Sequence, residues 1–61
     1  MEVKDVLYKL RETKGISQEE LAKELFVTRQ AVSRWETGET IPNTETLKFI
    51  ITYSHHVSNN I

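Results

Sequence analysis

The sequence predicts an all-α fold, a compact bundle of four to five short helices, on three observations. Apolar residues recur at helical spacing rather than in alternation, as in Val3, Val6, Leu7 and Leu10. Helix-start residues (Ser17, Thr28, Asn43) and breakers (Gly15, Gly38, Pro42) divide the chain into segments of helix length. One of these segments carries an unusual polar face: no acidic residue occurs from Leu25 to Trp35, while Arg29, Gln30, Ser33, Arg34 and Thr37 cluster on one side.

The first helix follows the i, i+3, i+4, i+7 pattern of Val3, Val6, Leu7 and Leu10. Gly15 suits the left-handed residue just past its end, with Ile16 folding back as a hydrophobic closure. Ser17 then opens S-Q-E-E, a capping box with Glu20 three residues after the cap. The second helix spans roughly 18–25, burying Leu21, Ala22 and Leu25 and leaving Glu19, Glu20, Lys23 and Glu24 in water.

Thr28 caps a third helix that runs to about Thr37, stopped by Gly38. At roughly 100° per residue, Ala31, Val32 and Trp35 share one arc, and Arg29, Gln30, Ser33, Arg34 and Thr37 occupy another. The spacing of Trp35 with Ala31 and Val32 makes it a core anchor rather than a platform for stacked bases. After a loop of Glu39 to Pro42, Asn43 caps a fourth helix that buries Leu47, Ile50 and Ile51. Beyond Tyr53 the pattern weakens, and a fifth helix opening at Ser58 gains no apolar face before the chain ends.

Composition bounds the function. The 61 residues make one small domain, 1–61, near the lower limit for a self-sufficient core. With no Cys there is no disulfide or thiolate staple, so helix packing carries the fold. No apolar run approaches a membrane span of ~20 residues, so no membrane contact is expected from this segment. Eight Lys and Arg against nine Asp and Glu give a net charge of −1, which argues against a nonspecific polyelectrolyte binder. His55 and His56 are adjacent and diverge on most backbones, with no Cys or nearby acid to complete a metal site. Neither a nucleophile–base pair nor a Gly-rich phosphate loop is present, so no enzyme, metal or cofactor is expected. A helix free of acid through Trp35 and bearing Arg and Gln, held by its apolar back to a second helix, has the chemistry needed to read base edges in a DNA groove.

Residues 3–52 resemble a Cro/CI-type (XRE family, lambda-repressor-like) helix-turn-helix domain. The resemblance rests on L-x-x-L-R at 7–11, S-Q-E-E-L-A at 17–22, V-T-R-Q-A-V-S-R-W-E-T-G at 27–38 and I-P at 41–42, in order and at these intervals. It implies a helix-turn-helix formed by helices 2 and 3, with helix 3 (about 28–37) entering the major groove. It also implies base reading by Arg29, Gln30, Ser33 and Arg34, and phosphate contacts from Gln18, Thr28, Thr37, Thr40 and Asn43. Each has a plainer alternative: Arg29 and Arg34 as solvated helix charges, Gln18 as part of a helix start, Thr28 as a cap alone. Arg11 matches a family arginine that pairs with the acid near the end of the recognition helix, here Glu36, in a structural salt bridge.

Two departures from the family pattern stand out. Phe26 occupies a turn position that commonly holds Gly in a left-handed conformation, at a strain of about 1–2 kcal/mol. Glu39 places negative charge beside the expected DNA backbone, so nonspecific affinity and its salt dependence should be modest. Val57, Ser58 and Ile61 resemble only the start of the family's fifth helix, which implies either the N-terminal part of a longer protein or a small association surface. The ends of Leu47, Ile50, Ile51 and Tyr53 are then expected to be exposed. The function implied is a cytoplasmic regulator of bacterial or phage type, a repressor binding double-stranded DNA at a pseudo-palindromic operator, possible as a homodimer. The competing reading is a protein-interaction module, such as an antitoxin or coactivator, built on the same bundle.

Overall fold

The computed structural model describes residues 2–59, with side chains placed through Val57. It contains α1 (Val3–Lys14), α2 (Gln18–Leu25), α3 (Arg29–Thr37) and α4 (Thr44–Asn59), with no strand among the described residues. The protein is an all-α bundle.

Each of the first three helices ends the same way. The residue after the helix is left-handed at Gly15 (φ 66°), Phe26 (φ 59°) and Gly38 (φ 81°). In every case the following residue returns its N–H to the carbonyl five positions back: Ile16 to Arg11 at 3.2 Å, Val27 to Ala22 at 2.9 Å, Glu39 to Arg34 at 2.9 Å. This closure satisfies carbonyls that the helix end leaves without partners, and it folds the next side chain back over the last turn. At the first two closures the returning side chains, Ile16 and Val27, are apolar and pack against the core. The helix starts are equally local. The Ser17 hydroxyl accepts from Glu20 N–H at 3.1 Å while Glu20 accepts from Ser17 N–H. Thr28 Oγ1 accepts from Ala31 N–H, and Asn43 Oδ1 from Thr46 N–H at 2.8 Å.

The core is formed by Leu7, Leu21, Ala22, Leu25, Val32, Trp35 and Ile50, with Val3, Val6, Ile16, Val27, Ala31 and Tyr53 packed around it. α3 packs against α1 and α2, and α4 packs on α1. The fourth helix differs from expectation in two respects. Its inner face is Thr46, Leu47, Ile50, Tyr53, Ser54 and Val57, so Ile50 is fully buried and Leu47 and Tyr53 are partly so. Ile51, one residue and about 100° further round, is 59% exposed rather than buried. No Gly or Pro interrupts residues 44–59, and α4 continues through Ser58 instead of yielding to a fifth helix there. Ile61 lies outside the described residues.

Glu24 is not simply solvated. Its carboxylate accepts from Lys14 Nζ at 2.8 Å and from the Tyr53 hydroxyl, and Lys14 also donates to the Tyr53 oxygen. Three helices are thereby tied at one partly exposed point. Hydrogen bonds from Lys14 and then Tyr53 hold the Glu24 carboxyl below the usual range, while burial and then the Glu24 bond push Tyr53 up. A carboxyl whose folded pKa lies below its unfolded value stabilises the fold above the unfolded pKa and loses that contribution as pH falls through the folded one. Stability of the wild type in denaturant unfolding should therefore fall as pH drops through about 5 to 3, and that of Glu24→Gln should fall less over that window. The difference should stay under about 1 kcal/mol because the site is partly open to water; identical pH profiles would remove the network from the stability of the fold.

Phe26 allows a second test. Its ring is 86% exposed and meets only Phe49 in an aromatic pair, with centroids 6.1 Å apart, so little burial offsets its left-handed backbone. Phe26→Ala and Phe26→Gly both remove the ring, but only glycine removes the Cβ. Thermal unfolding should place Phe26→Gly above Phe26→Ala by about 1 kcal/mol, roughly 4–8 °C in a domain of this size. Equal melting temperatures would show that this turn carries no backbone strain.

Candidate nucleic-acid interface

The short turn of Phe26–Thr28 joins α2 to α3, and α3 presents two unlike faces. Val32 and Trp35 are buried against α1 and α2 with Ala31 beside them. On the opposite arc Arg29, Gln30, Arg34 and Thr37 are exposed and Ser33 is half-buried. The same helix thus has a wall that fixes it and a surface bearing guanidinium, carboxamide and hydroxyl groups. Those donors and acceptors match the edges of bases in a major groove, which is wide enough to admit a helix.

A single carboxylate adds directional bonds to this apolar packing. Glu36, with its side chain 8% exposed, receives Arg11 Nε at 2.7 Å on Oε2 and Arg11 Nη2 at 2.8 Å on Oε1. Gln18 Nε2 donates to the same Oε1 at 3.2 Å. Arg11 also donates from Nη1 to the Ile16 carbonyl and lies 5.9 Å from the Tyr8 ring centroid. The fork-shaped guanidinium makes two parallel charge-assisted bonds, a geometry that fixes angle as well as distance. Hydrogen bonding to Glu36 raises the Arg11 pKa further above its ordinary value, against the opposing effect of burial. One acid on α3 therefore takes hydrogen bonds from α1 and from the first residue of α2.

The other residues assigned to phosphate contact are placed as follows. Thr28 sits at the start of α3, where its oxygen accepts the capping bond and its O–H proton stays available to donate. Thr37 Oγ1 donates to the Arg34 carbonyl at 3.0 Å. Thr40 is exposed in the loop after α3. Asn43 uses its oxygen in capping α4, which leaves its amide N–H groups as donors. Gln18 is turned toward Glu36 in this structure. Arg34 Nε lies 3.5 Å from Glu39 Oε2, a pair that the sequence reading did not draw even though it singled out both residues. The Lys14–Glu24–Tyr53 network also went unread, because partners 10 and 39 residues apart leave no periodic signal.

Removing one partner of the Arg11–Glu36 pair leaves a largely enclosed charge without its counter-ion. Glu36→Ala and Arg11→Ala should each lower stability by about 2 kcal/mol, near 10 °C in melting temperature. Unchanged melting temperatures for both would sink the structural role of the pair.

A family model described as helix-turn-helix matches residues 7–53. Among curated proteins, the chain is similar to the HTH-type transcriptional activator BcrR of Enterococcus faecalis, 48% identical over 50 residues. The aligned segment is 82% of this chain and 24% of that protein, so the chain spans about a quarter of that relative's length. No solved structure matches the chain significantly. With its four-helix bundle, its paired α2 and α3 and this match over most of its length, the chain belongs to the helix-turn-helix family of transcription regulators, in its Cro/CI-type (XRE) branch.

Proposed function

We propose that this protein reads a specific double-stranded DNA site by inserting α3 into the major groove. The observation that carries this reading is the two-faced third helix: a buried apolar back at Val32 and Trp35, and an exposed arc of Arg29, Gln30 and Arg34 with Ser33 between them. A helix that met a protein partner would present apolar anchors on that arc. In this reading Arg29 donates two hydrogen bonds to guanine O6 and N7, discriminating by about 1–3 kcal/mol. Gln30 pairs with adenine, and Ser33 and Arg34 reach base edges one turn further along. Gln18, Thr28, Thr40 and Asn43 take phosphate oxygens and set the register without reading sequence, and Thr37 joins them once its hydroxyl turns from the Arg34 carbonyl.

Two copies related by a two-fold axis would span half-sites about 34 Å apart on a pseudo-palindromic operator. The setting proposed is the cytoplasm of a bacterium, and no enzymatic step is assigned. Among the described residues no helix is long and apolar enough to cross a membrane. The sign of regulation depends on where the operator lies. A domain seated over a promoter represses, which is the reading offered by the sequence, whereas the name of the Enterococcus relative describes an activator.

Selection of bound duplexes from a random pool at near-physiological salt tests the proposal. A two-fold motif should be enriched, and Arg29→Ala should relax guanine preference at one position in each half-site. A reporter carrying the selected site over, and then upstream of, a promoter would assign the sign. No enrichment by the folded protein would overturn DNA reading and leave α3 as a surface for a protein.

A further inference from the structure

The third helix closure differs from the other two. At α1 and α2 the residue that folds back is apolar, Ile16 and Val27, and it packs on the core. At α3 the same geometry brings back Glu39, whose N–H bonds the Arg34 carbonyl at 2.9 Å. The left-handed Gly38 (φ 81°) makes that return possible, and it sets the Glu39 side chain beside the side chain of the residue it bonds. The result is the Arg34–Glu39 ion pair, Nε to Oε2 at 3.5 Å. Two features bring the residues together, a backbone closure and a side-chain contact between the same two residues.

The pair contributes little to the fold. Its side chains are 60% and 65% exposed, and surface pairs of this kind are worth about 0–1 kcal/mol. Its effect falls on what Arg34 can do. A guanidinium has five N–H donors, and a carboxylate beside Nε leaves the four on the two Nη atoms for an end-on approach to guanine O6 and N7. The pair is also close to neutral as a unit. A phosphate approaching Arg34 meets the Glu39 charge as well, so Arg34 is a weaker counter-ion than an arginine with no acid beside it.

Resting on the DNA-reading function proposed above, we infer that Glu39 is a positioning residue for specificity. It withholds Arg34 from the phosphate backbone and presents it end-on to a guanine edge. The pair therefore trades nonspecific affinity for discrimination.

The test compares wild type, Glu39→Gln, Arg34→Ala and the double variant on the selected duplex and on random-sequence duplex, across a salt series. Melting temperatures should agree within a few degrees, since the pair is exposed. Glu39→Gln should bind random duplex more tightly, with a salt slope steeper by about 0.9 per protomer as Arg34 gains a phosphate. On selection it should lose about tenfold of base preference at the position that Arg34→Ala also loses. Both effects should vanish when Arg34 is already alanine. An unchanged motif in Glu39→Gln, or the same change of slope with and without Arg34, overturns the positioning role while leaving the DNA-reading function intact. A wild-type protein that enriches no motif overturns that function, and the role of Glu39 with it.

Discussion

The Glu36 carboxylate is the point on which the geometry of this small domain turns. It lies near the end of α3 and takes hydrogen bonds from Arg11 on α1 and Gln18 at the head of α2. Apolar packing alone leaves short helices free to slide and rotate, because dispersion contacts are many, weak and without direction. A bidentate guanidinium–carboxylate pair has direction. It sets the roll of α3 about its own axis, and that roll decides which side chains point outward. The exposed arc of Arg29, Gln30 and Arg34 follows from where Glu36 is held and from Val32 and Trp35 being buried on the other side.

The second organising device is the repeated left-handed closure. With eight buried apolar residues among those described, one of them an alanine, the domain relies on local order at each helix end. Two closures use glycine, and their returning side chains differ in purpose: Ile16 seals the core, whereas Glu39 meets Arg34. The closure at Phe26 puts a phenyl ring in a conformation that disfavours any Cβ, and that ring is largely exposed beside Phe49. The closing bond from Val27 N–H to the Ala22 carbonyl and the Phe49 contact offset only part of that strain. The same closure geometry thus serves packing at one site, carries strain at a second, and arranges a charged pair at a third.

The sequence by itself determined the first three helices, their limits and the start of the fourth. Capping residues, left-handed stops and helical spacing act within five or six positions, so Ser17, Thr28, Asn43, Gly15 and Gly38 mark helix boundaries without reference to the rest of the chain. The all-α class, the faces of α1, α2 and α3, and the core role of Trp35 follow from the same short-range physics. Local spacing was ambiguous on α4, where consecutive isoleucines at 50 and 51 compete for one face; packing against α1 selected Ile50 and left Ile51 in solvent. The continuation of α4 through Ser58 was also decided by context, since the weak polar stretch after Tyr53 has neither a breaker nor a strong helical pattern.

What only the tertiary structure decided is which distant charges meet where no family pattern names the partners. The Arg11–Glu36 pair, 25 residues apart, is implied by the family resemblance and not by periodicity, whereas Lys14 and Tyr53, 39 apart, are linked by neither and meet only once the helices are docked. The Arg34–Glu39 pair stands between these cases. Its residues are close in sequence, yet the contact exists only because Gly38 reverses the backbone, so its effect on the outward face of α3 becomes visible once the closure is seen in three dimensions. Local hydrogen bonding wrote the helices into the sequence, whereas directional electrostatics between separate helices oriented them, because such contacts form only after the chain has folded.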